Sequence, residues 1–335
     1  MPKGSRSGLS GEDRLIARHF KPLARHPGAL GLIDDAAVLR PPSGHELVLT
    51  VDAVVGGVHF FPDDPPAAVA RKALRVNLSD LAAKGAKPAG FLLTLALPKG
   101  ASDAWLAAFA RALGEDAKRY GCPLLGGDTV TTPGPLTVSV AAFGTLPSGS
   151  MVRRDGARVG DHVLVTGTIG DAALGLKLRN DARAARRWKL SATSRNHLLQ
   201  RYLVPEPRNA LALAVRKNAN AAMDVSDGLA GDLTKLCRAS GVAAEVESAR
   251  VPLSAAAQAV MKVAPRLLET ALSGGDDYEI VCTVRSTRLA SFKAAARAFG
   301  VPVTDIGRIV QGQGAAFRQS DGSLLRFKRG SFSHF

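Results

Sequence analysis

The chain has 335 residues, 46% hydrophobic and 22% charged, so it can form more than one buried core and is not a disordered or fibrous sequence. Its 44 Lys and Arg against 29 Asp and Glu give a formal net charge of +15, yet aromatics are only 5% and no zinc-finger or RRM-type motif occurs, so charge alone does not indicate nucleic-acid binding. No uninterrupted apolar run is long enough to span a bilayer, and MPKGSRSGLSGEDRL lacks the apolar core of a signal peptide.

After a short Gly/Ser arm, residues 12–23 carry a helical stripe of Leu15, Ile16, His19, Phe20 and Leu23. Residues 36–39 and 47–55 read as strands joined by the Pro-Pro-Ser-Gly turn at 41–44. Asp64 can cap a helix with Pro65 and Pro66 in its first turn; the stripe Ala70, Ala73, Leu74, Leu78, Leu81, Ala82 runs to Gly85 and leaves Asp80 on its flank. A strand at 91–97, a helix at 103–120, a strand at 123–125 ending in Gly126-Gly127-Asp128 and a strand at 136–146 follow. Pro, Gly and Ser cluster at 147–150, which places a boundary between domains 1–148 and 149–335.

The second half restarts with a strand at 162–166 and a glycine turn into a helix, GTIGDAALGL. The basic stretch 177–189 reads as a solvated helix or loop. A strand at 219–225 ends in Asp224, and Ser226 can cap a helix with Leu229, Leu233, Leu236 and Cys237 on one face. A last clear strand, 279–284, follows SGGDDY. The alternation predicts two α/β (α+β) domains, each a sheet packed with helices. Cys122, Cys237 and Cys282 lie in apolar patterns and read as buried free thiols, which suits a reducing, cytoplasmic setting.

Six aspartate-bearing segments punctuate this basic chain at turns and element ends: IDDAAV, LTVDAVV, NLSDLAAKGA, LGGDT, MDVSDG and SGGDDYE. Each alone is an ordinary turn or helix start, since Gly supplies positive φ and Asp bonds nearby backbone. Together they point to hard divalent cations, because Mg²⁺ is held by a few carboxylates plus phosphate oxygens. No GxxxxGKS/T, HRD or DFG motif occurs, so metals rather than a P-loop backbone would manage the phosphates. A phosphate acceptor, with a second pKa of about 6, is already largely dianionic at neutral pH and needs no general base.

The segments GLIDDAAVL, LTVDAVVGGVHF, RKALRVNLSDLAAKGAKP, LLGGDTV, MDVSDGLAGDL and LSGGDDYEIV, in this order, resemble the thiamine-monophosphate kinase family. That family belongs to the ATP-binding superfamily shared with aminoimidazole ribonucleotide synthetase and selenophosphate synthetase. The resemblance implies a two-domain aminoimidazole-ribonucleotide-synthetase-like fold, a homodimer formed through the N-terminal domains, and nucleotide bound between domains. It implies ATP- and Mg²⁺-dependent phosphorylation of thiamine monophosphate to thiamine diphosphate by direct in-line transfer; from composition and run length, no membrane and no specific nucleic-acid partner are expected.

By the same resemblance, Asp35, Thr50, the Val51 carbonyl, Asp52, Asp80, Asp128, Asp224 and Asp227 are expected to hold metal, with Asp35, Asp52, Asp80, Asp128 and Asp224 central to catalysis. Gly127, Asp128, Arg154 and Ser226 are expected at ATP, and His59, Asp276 and Phe327 at the substrate. The chain departs from the family pattern at Val51, which replaces a hydroxyl residue, and at Asp276, which replaces a glutamate. Phe327 is the nearest equivalent of a tail tryptophan, and SFSHF resembles the usual GYDHF ending. A different acceptor within the superfamily is the competing expectation. The selenophosphate branch normally has a reactive cysteine near its N-terminus, whereas the first cysteine here is Cys122.

Overall fold

The computed structural model describes residues 10–328, Gly330 and Ser331, so the Gly/Ser arm and all of SFSHF but its first residue lie outside the described residues. The chain forms two compact units. One comprises Met1–Pro41, Val51–Leu74 and Pro88–Phe143; the other comprises Pro42–Thr50, Arg75–Lys87 and Gly144–Phe335.

In the first unit, α1 (Gly11–Leu15) opens with a capping box. The Ser10 hydroxyl accepts from the Asp13 N–H (3.0 Å), and the Asp13 carboxylate accepts from the Ser10 N–H (3.1 Å). The helical stripe continues, but Ile16–Phe20 winds as a π-helix and Lys21–Leu23 as a 3-10 turn, where Pro22 has no N–H with which to extend an α-helix. The strand expected at 36–39 does not form; the Val38 N–H donates instead to the Gly28 carbonyl at 2.8 Å.

The sheet here has the order β1-β4-β2-β3, from β1 (His45–Val55), β2 (Lys87–Pro98), β3 (Leu124–Thr132) and β4 (Thr137–Pro147). β2 and β3 run parallel, which sets Leu93 opposite Gly127 and Thr94 opposite Asp128. β3 does not stop at Asp128 as expected. Val130, Thr131 and Thr132 are β-branched and carry the strand on to the turn at Pro133-Gly134. The helices are α2 (Pro66–Ala83) and α3 (Asp103–Tyr120), the latter capped by Ser102 and burying Leu106, Phe109 and Leu113. Asp64, expected to cap α2, accepts from the Phe61 N–H at 2.8 Å.

The second unit holds a six-stranded sheet in the order β10-β7-β9-β5-β8-β6, built from β5 (His162–Thr166), β6 (Ala219–Asp224), β7 (Ala243–Glu247), β8 (Ile280–Val284), β9 (Val303–Val310) and β10 (Gly314–Arg318). β10 pairs with β7 in parallel; β5 with β8 and β9, β6 with β8, and β7 with β9 are antiparallel. β5 and β8 are buried along their whole length, as apolar strands covered on both faces must be.

The helices that accompany this sheet are α4 (Asp171–Asn180), α5 (Ala184–Arg187), α6 (Ala192–Leu203), α7 (Ala212–Asn218), α8 (Leu229–Ser240), α9 (Ala255–Val263), α10 (Leu267–Ser273) and α11 (Ser286–Ala298). Alternate strand residues feed two cores. Val163, Val165, Met223 and Val281 meet Leu229, Leu233 and Leu236 of α8, whereas Leu164, Ala222, Ile280 and Cys282 meet Val215 and Phe292. The basic stretch 177–189 is more than a solvated segment: Leu178, Ala184 and Trp188 are buried with Leu174 and Leu198. All three cysteines are buried and unpaired, and burial pushes each thiol up to about 12.

Candidate active site

The first unit brings its predicted residues to strand edges and turns. Asp35 is exposed beside Asp34, whose carboxylate accepts the Asp35 N–H at 2.8 Å. Val51 and Asp52 are consecutive on β1, so their side chains leave opposite faces of the strand, and both are exposed. Asp128 is exposed on β3 directly after Gly127, where only glycine fits: a Cβ there would lie 1.9 Å from the Leu93 carbonyl oxygen. His59 sits in the turn after β1. Its Nδ1 accepts from the Val55 N–H at 3.0 Å, which leaves the ring proton on Nε2, and Lys72 fixes the turn by donating to the His59 carbonyl at 2.8 Å. Immediately beyond it, Phe60 and Trp105 line a cavity of about 490 Å³ with Pro62, Pro98 and Leu136.

In the second unit, the Thr50 hydroxyl donates to Asp80 at 2.5 Å, joining the end of the VLT segment to the flank of α2. Asp224 closes β6 and is only 4% exposed. The two glycine-aspartate loops that follow β6 and precede β8 are sewn together through backbone. The Asp276 N–H donates to the Ser226 carbonyl (2.9 Å), the Tyr278 N–H to Val225 (2.8 Å), and the Val225 N–H to Glu279 (2.8 Å). A Cβ at Gly275 would stand 2.3 Å from the Ser226 oxygen, so the approach depends on glycine. Asp276 (φ 72°) and Tyr278 (φ 51°) both adopt the left-handed conformation, a local strain that side-chain residues rarely accept without surrounding constraint. The Tyr278 hydroxyl donates to Asp276 at 3.2 Å.

Ser226 does not cap α8. The helix starts at Leu229 after Gly228, and the Asp232 carboxylate accepts from the Asp227 N–H at 2.9 Å instead. Lys235 bridges the Asp227 and Asp232 carboxylates. Burial raises Asp232 above the usual carboxylate range despite that lysine. Arg153 forks onto Asp155 (2.9 and 2.6 Å), while Arg154 faces Lys84 closely enough to help lower its pKa. Phe327 packs edge-on against Phe317, ring centroids 5.3 Å apart. Among the described residues no three His, Cys, Asp or Glu side chains form a ready-made metal cage.

Three residues of this region were given no role by the sequence reading. Asp277 is fully buried and accepts from the Gly170 N–H (2.7 Å) at the start of α4; burial pushes its carboxyl well above the usual range. Glu279, also fully buried, accepts from Thr166 (2.7 Å), Arg201 (3.0 Å) and both arms of Arg208 (2.5 and 2.6 Å). The two residues lock the loop behind Asp276 to α4 and to the segment around Arg208. The acidic tail of SGGDDYE was the available signal. The third, Lys84, donates to the Ala222 carbonyl at 2.7 Å.

Two family models match in succession: AIR synthase related protein, N-terminal domain, over residues 33–146, and AIR synthase related protein, C-terminal domain, over residues 158–319. A thiamine-monophosphate kinase of Caulobacter vibrioides is 47% identical over 305 residues, 90% of this chain and 84% of that one. The crystal structure of thiamine-monophosphate kinase from Stenotrophomonas maltophilia K279a superposes with a TM-score of 0.81 at 39% identity, covering 93% of this chain and 96% of that one. The solved complex of AaThiL with AMPPCP and TMP gives 0.75 at 32% identity, covering 92% and 97%. With these likenesses and the aspartate loops in place, the chain belongs to the AIR synthase related family, in its thiamine-monophosphate kinase branch.

Proposed function

We propose that this protein transfers the γ-phosphoryl group of ATP to the phosphate of thiamine monophosphate, giving thiamine diphosphate. The observation that carries the reading is 47% identity over nine-tenths of the chain to a thiamine-monophosphate kinase, together with a relative solved with AMPPCP and TMP. The chemistry of the loops agrees with it. Asp35, Asp52, Asp80, Asp128, Asp224 and Asp227, the Thr50 hydroxyl and the Val51 carbonyl offer hard oxygen donors, the set Mg²⁺ takes. Lys235, which meets the Asp227 carboxylate here, marks a position where positive charge is favourable. Bound Mg²⁺ would screen the repulsion between two phosphate groups and stabilise charge on the oxygens in flight.

The protein's own groups do the rest by placement. Gly127 presents β3 backbone beside Asp128, and Arg154 and Ser226 offer donors for nucleotide oxygens. His59, with its proton on Nε2, offers a donor to an acceptor oxygen, and the adjacent aromatic cavity suits a flat heterocycle. Asp276, held rigid by its loop, and Phe327 are assigned to the substrate. Because the acceptor phosphate is already ionised, no side chain has to remove a proton. We assign domains 1–148 and 149–335 and a cytoplasmic location; no helix among the described residues is long and apolar enough to cross a membrane. A homodimer through the N-terminal sheet is supported by β1, which leaves Leu49 65% and Val51 64% exposed.

The test is ADP release in the presence of Mg²⁺, with and without thiamine monophosphate, alongside direct detection of thiamine diphosphate. Release that is indifferent to the acceptor would sink the assignment.

A further inference from the structure

Three neighbouring strands of the second unit, β9, β5 and β8, bring a carboxylate, an imidazole and a hydroxyl together at one end of the sheet. His162 opens β5. Its Nδ1 meets the Asp305 carboxylate on β9 at 2.6 Å, and its Nε2 meets the Ser286 hydroxyl, just past β8, at 3.1 Å. The β5–β9 register shifts between Val163 and Leu164, a bulge of the kind that re-aims a side chain. His162 and Asp305 are each 8% exposed, whereas Ser286 faces solvent. Arg308 donates to Asp305 at 3.0 and 3.2 Å. Burial would raise Asp305, but the His162 hydrogen bond and the Arg308 charge hold it below the usual carboxylate range. An ionised carboxylate can only accept, so Nδ1 carries the ring proton and Nε2 is left to accept from the Ser286 hydroxyl.

Ser286 stands where a strand turns directly into a helix: β8 ends at Val284 and α11 begins at Ser286. The first backbone N–H groups of a helix have no carbonyl one turn earlier, and in strand–serine–helix turns the N–H after the serine can hold an oxyanion. Val284 lies opposite Ala219 and Ile280 opposite Asp224, so Ser286 is at the other end of the sheet from the aspartate loops. A buried His–Asp pair braces β5 to β9 with or without Ser286. The exposed hydroxyl on the free side of the imidazole is what gives the pair a nucleophile to activate.

We propose that Ser286, His162 and Asp305 form an acyl-transfer site for small carboxylic esters, separate from the phosphoryl transfer above. The Ser286 Oγ attacks the ester carbonyl carbon, its proton passes to His162 Nε2, and the negative charge goes to the carbonyl oxygen beside the Thr287 N–H. As the bond to the alcohol oxygen breaks, His162 gives that proton to the leaving alcohol. Water then attacks the acyl-serine with the same imidazole as base, releasing the carboxylic acid and restoring Ser286. Asp305 is a positioning residue that holds the ring and stabilises its charged form.

The experiment follows the purified full chain with 4-nitrophenyl acetate, and with diisopropyl fluorophosphate located by peptide mass spectrometry. Wild type is compared with Ser286→Ala, His162→Gln, Asp305→Asn and Asp305→Glu, with a thermal melt of each. Ser286→Ala is expected to lower nitrophenol release at least about tenfold, with melting temperature and ADP release unchanged. His162→Gln is expected to slow labelling of Ser286 about 100-fold; Asp305→Asn slows it as well, and Asp305→Glu restores part of the rate. Equal nitrophenol release from wild type and Ser286→Ala, or labelling as fast in His162→Gln as in wild type, overturns the proposal. Labelling equal in all three folded His162 and Asp305 variants does the same, because it is the result a mere brace gives. If His162→Gln does not fold, Asp305→Asn carries the comparison. Loss of ADP release with Ser286 labelling intact strikes the kinase reading alone.

Discussion

Asp128 stands in an exposed position on β3, and nothing in the fold requires a carboxylate there. Replacing it with asparagine keeps size and hydrogen-bonding capacity but removes the charge, so the effect falls on catalysis. We expect Asp128→Asn to lower kcat by about 100-fold or more with an unchanged melting temperature, read from steady-state ADP release and a thermal melt. A near-normal kcat would remove Asp128 from the metal set. Gly127, one residue earlier, behaves in the reverse way. A methyl group 1.9 Å from the Leu93 oxygen must displace β2 or β3, so Gly127→Ala should cost about 3 kcal/mol of stability, measured by denaturant titration. Neighbouring residues thus separate function from fold. The sequence motif LLGGDT made the pair conspicuous, but only the register opposite Leu93 distinguishes the glycine that is structural from the carboxylate that is free to act.

At the scale of elements, the loop before β8 is a strained segment held from behind. Glu279 is buried among Arg201, Arg208 and Thr166, so Glu279→Gln leaves two arginines facing a neutral group. Removing one partner of such a buried network typically costs about 3–5 kcal/mol, and loosening the backbone at Asp276 should also raise KM for the acceptor. Urea unfolding and steady-state kinetics on the same preparation check both effects.

A second network ties α4 to α6: the Asp171 carboxylate accepts from Thr168 (2.7 Å) and Ser254 (2.5 Å) and meets His197 at 3.0 Å. Burial alone would raise Asp171, but the hydrogen bonds from His197, Ser254 and Thr168 hold it below the usual range; the bond to Asp171 in turn raises His197. The His197 contribution is therefore full below its unfolded pKa, about 6.5, and lost as pH rises through its higher folded value. The Asp171 contribution is full above about 3.9 and lost as pH falls through its lower folded value. The melting-temperature difference between wild type and His197→Ala should be greatest near pH 5–6 and shrink above about pH 7. It should remain worth less than about 1 kcal/mol, because the imidazole is partly solvated.

For the whole molecule, the exposed apolar residues of β1 are the feature that a folded single chain leaves unexplained. Val51→Lys places a charge on that face without touching an internal contact of the strand's buried residues. If copies of the chain pair there, the variant should sediment as a monomer at concentrations where wild type is a dimer; equal sedimentation would reject β1 as the interface.

Much of this protein was written locally. The stripe from Ala70 to Ala82, the helix 103–120 with its Ser102 cap, and the apolar runs that became β5 and β8 needed only periodicity and capping chemistry, because those are short-range properties. The ordered aspartate motifs carried the family. What the chain order could not convey was partnership between distant segments. The strand expected at 36–39 failed because Gly28 took the Val38 N–H, and Ser226 failed as a cap because its backbone was claimed by the loop of Asp276. Lys84 carried no reading of its own in the sequence, and only the fold sets its ammonium against the Ala222 carbonyl. A residue's type fixes what chemistry it can do, but the dielectric around it and the partners it meets are set by chain far away in sequence, and those decide whether it acts, braces or only packs.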